Sequence, residues 1–367
     1  MSVRELLRDA RRRGSEDART WLERPAALDR TPFGSFGAGG AGEAAVRRAL
    51  HALRVPPLLF AVTARILRGQ KAERALAASE RYAYWRGARR ELDPETWRRL
   101  TRGTSILMYH AVGHRGEPAS RFILPAKRFE RQMRWLARRG LPVLALDDLI
   151  GDRREGRLPP AGAVVITFDD GYADALEVAA PILRHFGFPA TAFAVSGCVG
   201  RTADWQGTGG LSGRRLLDWE GLAALVRSGL TIGAHSRTHP RLPELEEEQA
   251  SAEVAGSRAD LERGLDTPVR SFAYPFGQTS PQTVAAVERA GFAGACGILR
   301  GLNDPATPRL ELRRAPVDGD ASMLRFALAV RFGDPDLFAR PFNRLRSAIP
   351  GRTRRQRAQT RIQESPR

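Results

Sequence analysis

The sequence predicts an α/β fold built on a mostly parallel sheet, preceded by a helical extension. Short apolar runs alternate with amphipathic stretches from Ser105 onward, the pattern of strands joined by helical crossovers. Glycines close several of the intervening helices, at Gly140, Gly187 and Gly291. No GxGxxG follows the first run and no GxxxxGK with Ser or Thr occurs, so a barrel fits better than a dinucleotide-binding sheet.

Residues 1–30 read as a charged helix, and 31–42 (TPFGSFGAGGAG) as a glycine-rich linker. Residues 43–100 read as two or three helices, the last stopped at Gly103. ILMY (106–109) then reads as a strand, 125–140 as a helix, AVVIT (163–167) as a strand and 173–187 as a helix. ATAFAV (190–195), LTIGA (230–234) and SFAY (271–274) are further strands. Helices are expected at 218–229, within 245–264 and at 281–291, the last with Pro281 at its start. The tail after Pro350 is polar and basic and reads as disordered. The expected division is therefore a basic helical extension (1–102), the α/β domain (103–320) and a basic, helical to disordered tail (321–367).

Charge follows the same division. The net charge of +18 splits into +9 for residues 1–100, +1 for 101–320 and +8 for 321–367. An enzyme of nucleic acids concentrates positive charge around its working domain, so nucleic acid is not the expected partner. Basic ends suit an anionic membrane surface; the plainer reading is that arginine-rich ends are only solvated. The start lacks an apolar signal-peptide core, and the run Pro56–Leu67 is shorter than the ~20 residues a membrane span takes. Cys198 and Cys296 read as free thiols of a reducing compartment. The expected location is the cytoplasm, peripheral on the inner face of the membrane.

Four segments carry chemistry. Asp169 and Asp170 are adjacent carboxylates where a strand ends. Successive strand side chains point opposite ways, so only a turn, which Gly171 permits, aims both at one site; a helix cap would need one. His235 and His239 stand four apart after LTIGA. In a helical turn they share a face, and with one carboxylate they make the three-ligand set of an open zinc site. FAYPFG (272–277) is either an ordinary turn or one that presents an N–H to an oxyanion. Met108-Tyr109-His110 ends the first strand of the domain. All four lie at the carboxyl ends of predicted parallel strands, the face where barrel enzymes build their sites.

TFDDGY (167–172), HSRTH (235–239) and FAYPFG, in this order, resemble the polysaccharide deacetylases with a NodB-homology domain, carbohydrate esterase family 4. The YH pair and FAYPFG look most like the branch that includes poly-N-acetylglucosamine deacetylases. The resemblance spans about Ser105 to Asp320. It implies a distorted (β/α) barrel of about seven strands. It implies Asp169 as general base, Asp170, His235 and His239 as ligands of a divalent metal, commonly zinc, and the Phe276 N–H as an oxyanion donor. The implied activity is metal-dependent removal of N-acetyl groups from a sugar, in a polysaccharide or lipid-linked glycan. The alternatives are a metal amidohydrolase acting on a small non-sugar amide, and a degenerate glycan-binding scaffold.

Three departures from the family pattern stand out. Ala273 occupies a position where the family often has an Arg that pairs with the base; Arg270 or Arg314 would take its place, and Arg314 is favoured. No histidine follows His239, so the late histidine that supplies the general acid in many members is absent. His51 lies outside the domain and His185 closes a helix, which leaves His110 and His114. His110, directly after the strand, is assigned as general acid, the alternative being a residue that orients a ligand. No late Asp-Trp pair is found, and Asp218-Trp219 reads as a helix start.

Overall fold

The computed structural model describes residues 2–24, 35–36, 41–56, 69–205 and 210–337. Most of the expected linker, nearly all of the apolar run 56–67 and the tail after Pro350 lie outside the described residues. None of the helices among the described residues is long and apolar enough to cross a membrane.

Among the described residues, four helices precede the sheet: α1 (Val3–Glu23), α2 (Ala41–Ala52), α3 (Gln70–Glu91) and α4 (Pro94–Arg102). α1 opens on a capping box, in which the Ser2 hydroxyl accepts from Glu5 N–H and the Glu5 carboxylate accepts from Ser2 N–H. It packs along α3 at very short range. A Cβ at Gly14 would overlap the Tyr84 carbonyl, and one at Gly87 would overlap the Arg11 carbonyl, so the two backbones meet directly. Around this contact Leu7, Ala10, Trp21, Trp85 and Ala88 form a core of their own, with Phe36 set edge-on to Trp85 and Trp97. Asp93 caps α4, Pro94 starts it, and Gly103, at φ 61°, ends it.

The sheet begins at once. Its strands are β1 (Ser105–Tyr109), β4 (Val143–Leu144), β5 (Val164–Phe168), β6 (Thr191–Ala194), β7 (Thr231–Ala234), β8 (Ser271–Ala273), β9 (Gly294–Cys296) and β10 (Ala315–Pro316). They are parallel, in the order β10-β1-β5-β6-β7-β8-β9, with β4 beside β5. A parallel bridge between Cys296 and Leu312 ties β9 to the segment that feeds β10, so the seven-strand path curls into a distorted barrel. β2 (Ala111–Gly113) and β3 (Ile123–Pro125) form a separate parallel pair beside it.

The crossover helices are α5 (Ala126–Arg138), α6 (Leu146–Arg154), α7 (Ala180–Phe186), α8 (Trp219–Arg227), α9 (Glu247–Leu265) and α10 (Pro281–Arg289). The helix expected over 173–187 starts instead as a π turn, Ala175–Ala179. Pro181, in the first turn of α7, has no N–H to carry the regular ladder back across the junction. The barrel core also continues past residue 320. α11 (Met323–Phe332) places Phe326, Ala329 and Val330 in it, and the Ser105 hydroxyl donates to the Ala329 carbonyl at 2.9 Å. That i, i+3, i+4 spacing is an apolar stripe that the sheet covers.

Candidate active site

The ends of β1, β5, β7 and β8 open on one cavity of about 280 Å³, lined among others by His110, Asp169, Asp170, Trp205, His235, His239, Phe276 and Arg314. Every residue expected to act at the site lines it. His114 does not: its ring is more than half exposed and sits 3.3 Å from Glu177.

Backbone strain shapes the cavity. Four of the six described non-glycine residues with left-handed φ lie in the motif segments, namely Asp170 (74°), Ser236 (62°), His239 (62°) and Phe276 (56°). Asp170 is followed by Gly171 at φ 77°, and this double left-handed turn brings both carboxylates inward from the end of β5. The histidines do not share a helical turn. Residues 235–240 run irregularly after β7, and the left-handed Ser236 and His239 bend the chain back on itself. The Ser236 hydroxyl accepts from His239 N–H at 3.0 Å, and the Glu253 carboxylate of α9 accepts from the N–H groups of Arg237 and Thr238 at 2.9 Å. A loop pinned at three donors replaces the helical face that the spacing predicts.

The imidazoles and Asp170 converge. Nε2 of His235 and Nε2 of His239 each lie 3.4 Å from Oδ1 of Asp170, and one ligand atom from each of the three falls within 4.8 Å of the others. Nδ1 of His235 lies 2.7 Å from the Ala273 carbonyl oxygen, which can only accept. Nδ1 therefore carries the proton, and Nε2 of the neutral ring presents a lone pair to the carboxylate. Lone pairs directed at a carboxylate oxygen, all buried, are the donor set of a cation site, and they fit a divalent metal. Trp205 stacks on the His239 ring at 4.7 Å and 29°, and Phe276 meets it at 4.7 Å from another side.

Asp169 is held differently. Arg314 donates to its two carboxylate oxygens at 2.6 and 2.8 Å and, through Nε, to the Gly297 carbonyl at 2.9 Å. Only 3% of Asp169 and 1% of Arg314 is exposed, so water does not compete. Burial pushes the Asp169 carboxyl up, but Arg314 and then His235 outweigh it and hold the group below its ordinary value. Of the two arginines considered for this place, Arg270 acts instead on Asp147, and Arg314 makes the contact. At position 273 the backbone carbonyl, rather than a side chain, serves the site, by orienting His235.

His110 packs edge-on against Phe122 at 4.9 Å and lines the same cavity as Asp169 and Asp170. Phe276 turns the chain after β8. Gly277 N–H donates to the Tyr274 carbonyl and Gln278 N–H to that of Pro275, while the Phe276 ring lies 4.3 Å from the Arg241 guanidinium carbon. Sequence reasoning missed Trp205, Phe122, Arg121 and Asp318 on the cavity wall. They come from irregular segments and carry no periodic or motif signal.

Residues 157–295 match the family model for polysaccharide deacetylase. The chain carries a polysaccharide deacetylase domain. YxkH of Bacillus subtilis, named for the same family, is 26% identical to it over 206 residues, covering 56% of this chain and 68% of that protein. Poly-β-1,6-N-acetyl-D-glucosamine N-deacetylase of Staphylococcus epidermidis is 23% identical over 203 residues, covering 53% and 67%. In fold, the deacetylase domain resembles Streptococcus pyogenes deacetylase PplD, with a TM-score of 0.54 and 22% identity over 62% of this chain and 98% of that one. It resembles IcaB of Ammonifex degensii equally, with a TM-score of 0.54 and 24% identity over 63% and 97%.

Proposed function

We propose that this chain hydrolyses the N-acetyl group of a sugar within a polysaccharide or lipid-linked glycan, using a divalent metal, zinc by the chemistry of its two imidazoles and one carboxylate. The observation that carries this reading is the pairing of two buried devices in one cavity: the Asp170–His235–His239 donor set and an Asp169 carboxylate clamped by Arg314. A divalent ion held by the first would supply Lewis acidity to the acetyl carbonyl and the attacking water.

Asp169, ionised at neutral pH, accepts a proton from that water as its oxygen bonds to the acetyl carbon. Arg314 fixes both carboxylate oxygens, so the base stays oriented and cannot rotate away. The Phe276 N–H, turned by its left-handed φ, donates to the carbonyl oxygen as it gains charge. His110 delivers a proton to the sugar nitrogen as the C–N bond breaks, releasing acetate and a free amine. The catalytic residues are thus Asp169, His110 and Phe276, with Arg314 as the positioning residue of the base. The substrate partner is an N-acetylated glycan, the class on which the named Staphylococcus epidermidis relative acts.

Acetate release from a panel of N-acetylated sugars, with and without chelator, tests the reading. Release should need added divalent metal, and Asp169→Asn should lower turnover on the order of 10²–10⁴-fold while metal stays bound. Chelator-insensitive release, or an Asp169→Asn protein that turns over normally, would overturn it.

A further inference from the structure

The chain that carries His110 is fixed on both sides of the histidine. Before it, the Tyr109 carbonyl accepts from Asp169 N–H at 2.9 Å; after it, Ala111 N–H donates to the Phe122 carbonyl at 3.0 Å. Phe122 is also the ring that meets the His110 imidazole. One side chain completes the hold. Oδ1 of Asp174 accepts from Val112 N–H at 2.8 Å, two residues beyond His110.

Asp174 stands where a helix cap would stand and does not act as one. It directly precedes the π turn Ala175–Ala179, yet its carboxylate makes no bond to the N–H groups of that turn. It reaches across to the segment after β1 instead, and its second oxygen accepts from Nε of Arg214 at 2.7 Å. Arg214 also donates to both oxygens of Glu117, at 2.6 and 3.3 Å, and Glu117 accepts from His114 N–H at 2.9 Å. One ion-paired triad thus grips the backbone at Val112 and again at His114. The Asp174 side chain is 2% exposed and that of Arg214 17%. Burial raises the Asp174 carboxyl, and Arg214 opposes that rise.

None of the three lines the cavity. Two carboxylates sharing one guanidinium out of water add little stability over apolar side chains of the same volume. What a satisfied polar network adds is a fixed geometry. Here the geometry it fixes is that of the residues following His110.

We propose that Asp174, supported by Arg214 and Glu117, is a positioning residue for the general acid, holding the chain so that the His110 imidazole faces the leaving nitrogen. This rests on the reading of His110 as the proton donor. A sugar amine cannot depart as an anion, so a misplaced donor stalls C–N cleavage. A nitrophenolate departs without a proton. Water activated by Asp169 and the Phe276 N–H serve both substrates alike. Loss of positioning therefore separates an acetylated sugar from an aryl acetate, whereas loss of fold or metal lowers both.

The test assays the full chain, loaded with divalent metal, on an N-acetylated sugar and on p-nitrophenyl acetate. Metal content and melting temperature are measured alongside. Asp174→Ala should lower kcat on the sugar on the order of 100-fold, the cost of ~1 Å of misplacement. KM, metal content and aryl acetate turnover should stay near wild type. Glu117→Gln keeps an acceptor for His114 N–H and should show the same split more weakly; it decides the matter if Asp174→Ala does not fold. Equal losses on the two substrates, or full turnover of the sugar, would overturn the proposal. His110→Ala separates the premise from the positioning. If it loses the sugar selectively and Asp174→Ala does not, the positioning fails and the proton donor stands. If it keeps the sugar's turnover, the reading of His110 fails and the proposal with it.

Discussion

Replacing Arg314 by Met, a chain of similar length without charge, isolates the clamp on the base. Arg314 makes two charge-assisted bonds to Asp169 and one to Gly297, in surroundings that leave 1% of the arginine and 3% of the aspartate exposed. Removing one partner of such a pair strands the other charge in a low-dielectric site, a loss of about 3–5 kcal/mol. Removing both, in Arg314→Met/Asp169→Asn, strands neither charge of the pair and should restore most of that stability. Urea unfolding of wild type, the two single variants and the double variant, with chelator present throughout, measures the cycle. The double variant should be more stable than the two single losses would give on addition, with a coupling on the order of 2 kcal/mol or more. In acetate release Arg314→Met should fall with Asp169→Asn, because an unclamped carboxylate loses its orientation. An Arg314→Met protein within about 1 kcal/mol of wild type, or strict additivity of the two losses, would refute the argument that this pair is held in a dry interior.

His235→Ala and His239→Ala should each lose the bound divalent metal, as read by elemental analysis, while the circular dichroism spectrum is unchanged; normal metal content in either removes that residue from the ligand set. His110→Ala should abolish most acetate release with metal retained, whereas His114→Ala, on the exposed ring beside Glu177, should leave it near wild type. His51 offers a pH test away from the site. Burial, then Arg89, Arg47 and Arg86, push its imidazole down to about 3 from an ordinary 6.5, so the unfolded chain binds the extra proton between those values. Stability should therefore fall as pH drops through that window, and His51→Phe, which keeps a ring against Tyr82 and Trp97, should flatten the loss in acid-unfolding curves.

The elements legible in the sequence were those long enough to show a period. β1, β5, β6 and β7, with four or five residues each, and helices such as α9 and α10 fall where the apolar pattern puts them. β4, β9 and β10 hold two or three residues, fewer than any alternation needs, and α6 passed unread between them. The boundary expected at residue 320 cut off α11, whose stripe gains meaning only against β1.

The chemistry of the site was local in the same sense. A pair of carboxylates, two imidazoles four residues apart and a Pro-Gly turn, each placed at a strand end, marked in the sequence the groups that the fold brings to one cavity. Their geometry was not local. HSRTH does not form a helical turn, because left-handed Ser236 and His239 and the Glu253 carboxylate on α9 decide its path. The sequence favoured Arg314 as the partner of Asp169 without showing how it would reach, since Arg270 and Arg314 each directly precede a short parallel strand. Residues before such strands ordinarily lie at the end opposite the site, as Arg270 does beside Asp147. Arg314 escapes that rule because Ala315 pairs with Leu107, midway along β1, which sets the arginine deep enough in the barrel to reach a carboxylate 145 residues away in sequence. Residue type and spacing determine which chemistry a chain can perform; register and closure of the sheet decide which charges meet, because each depends on contacts between segments that no local pattern records.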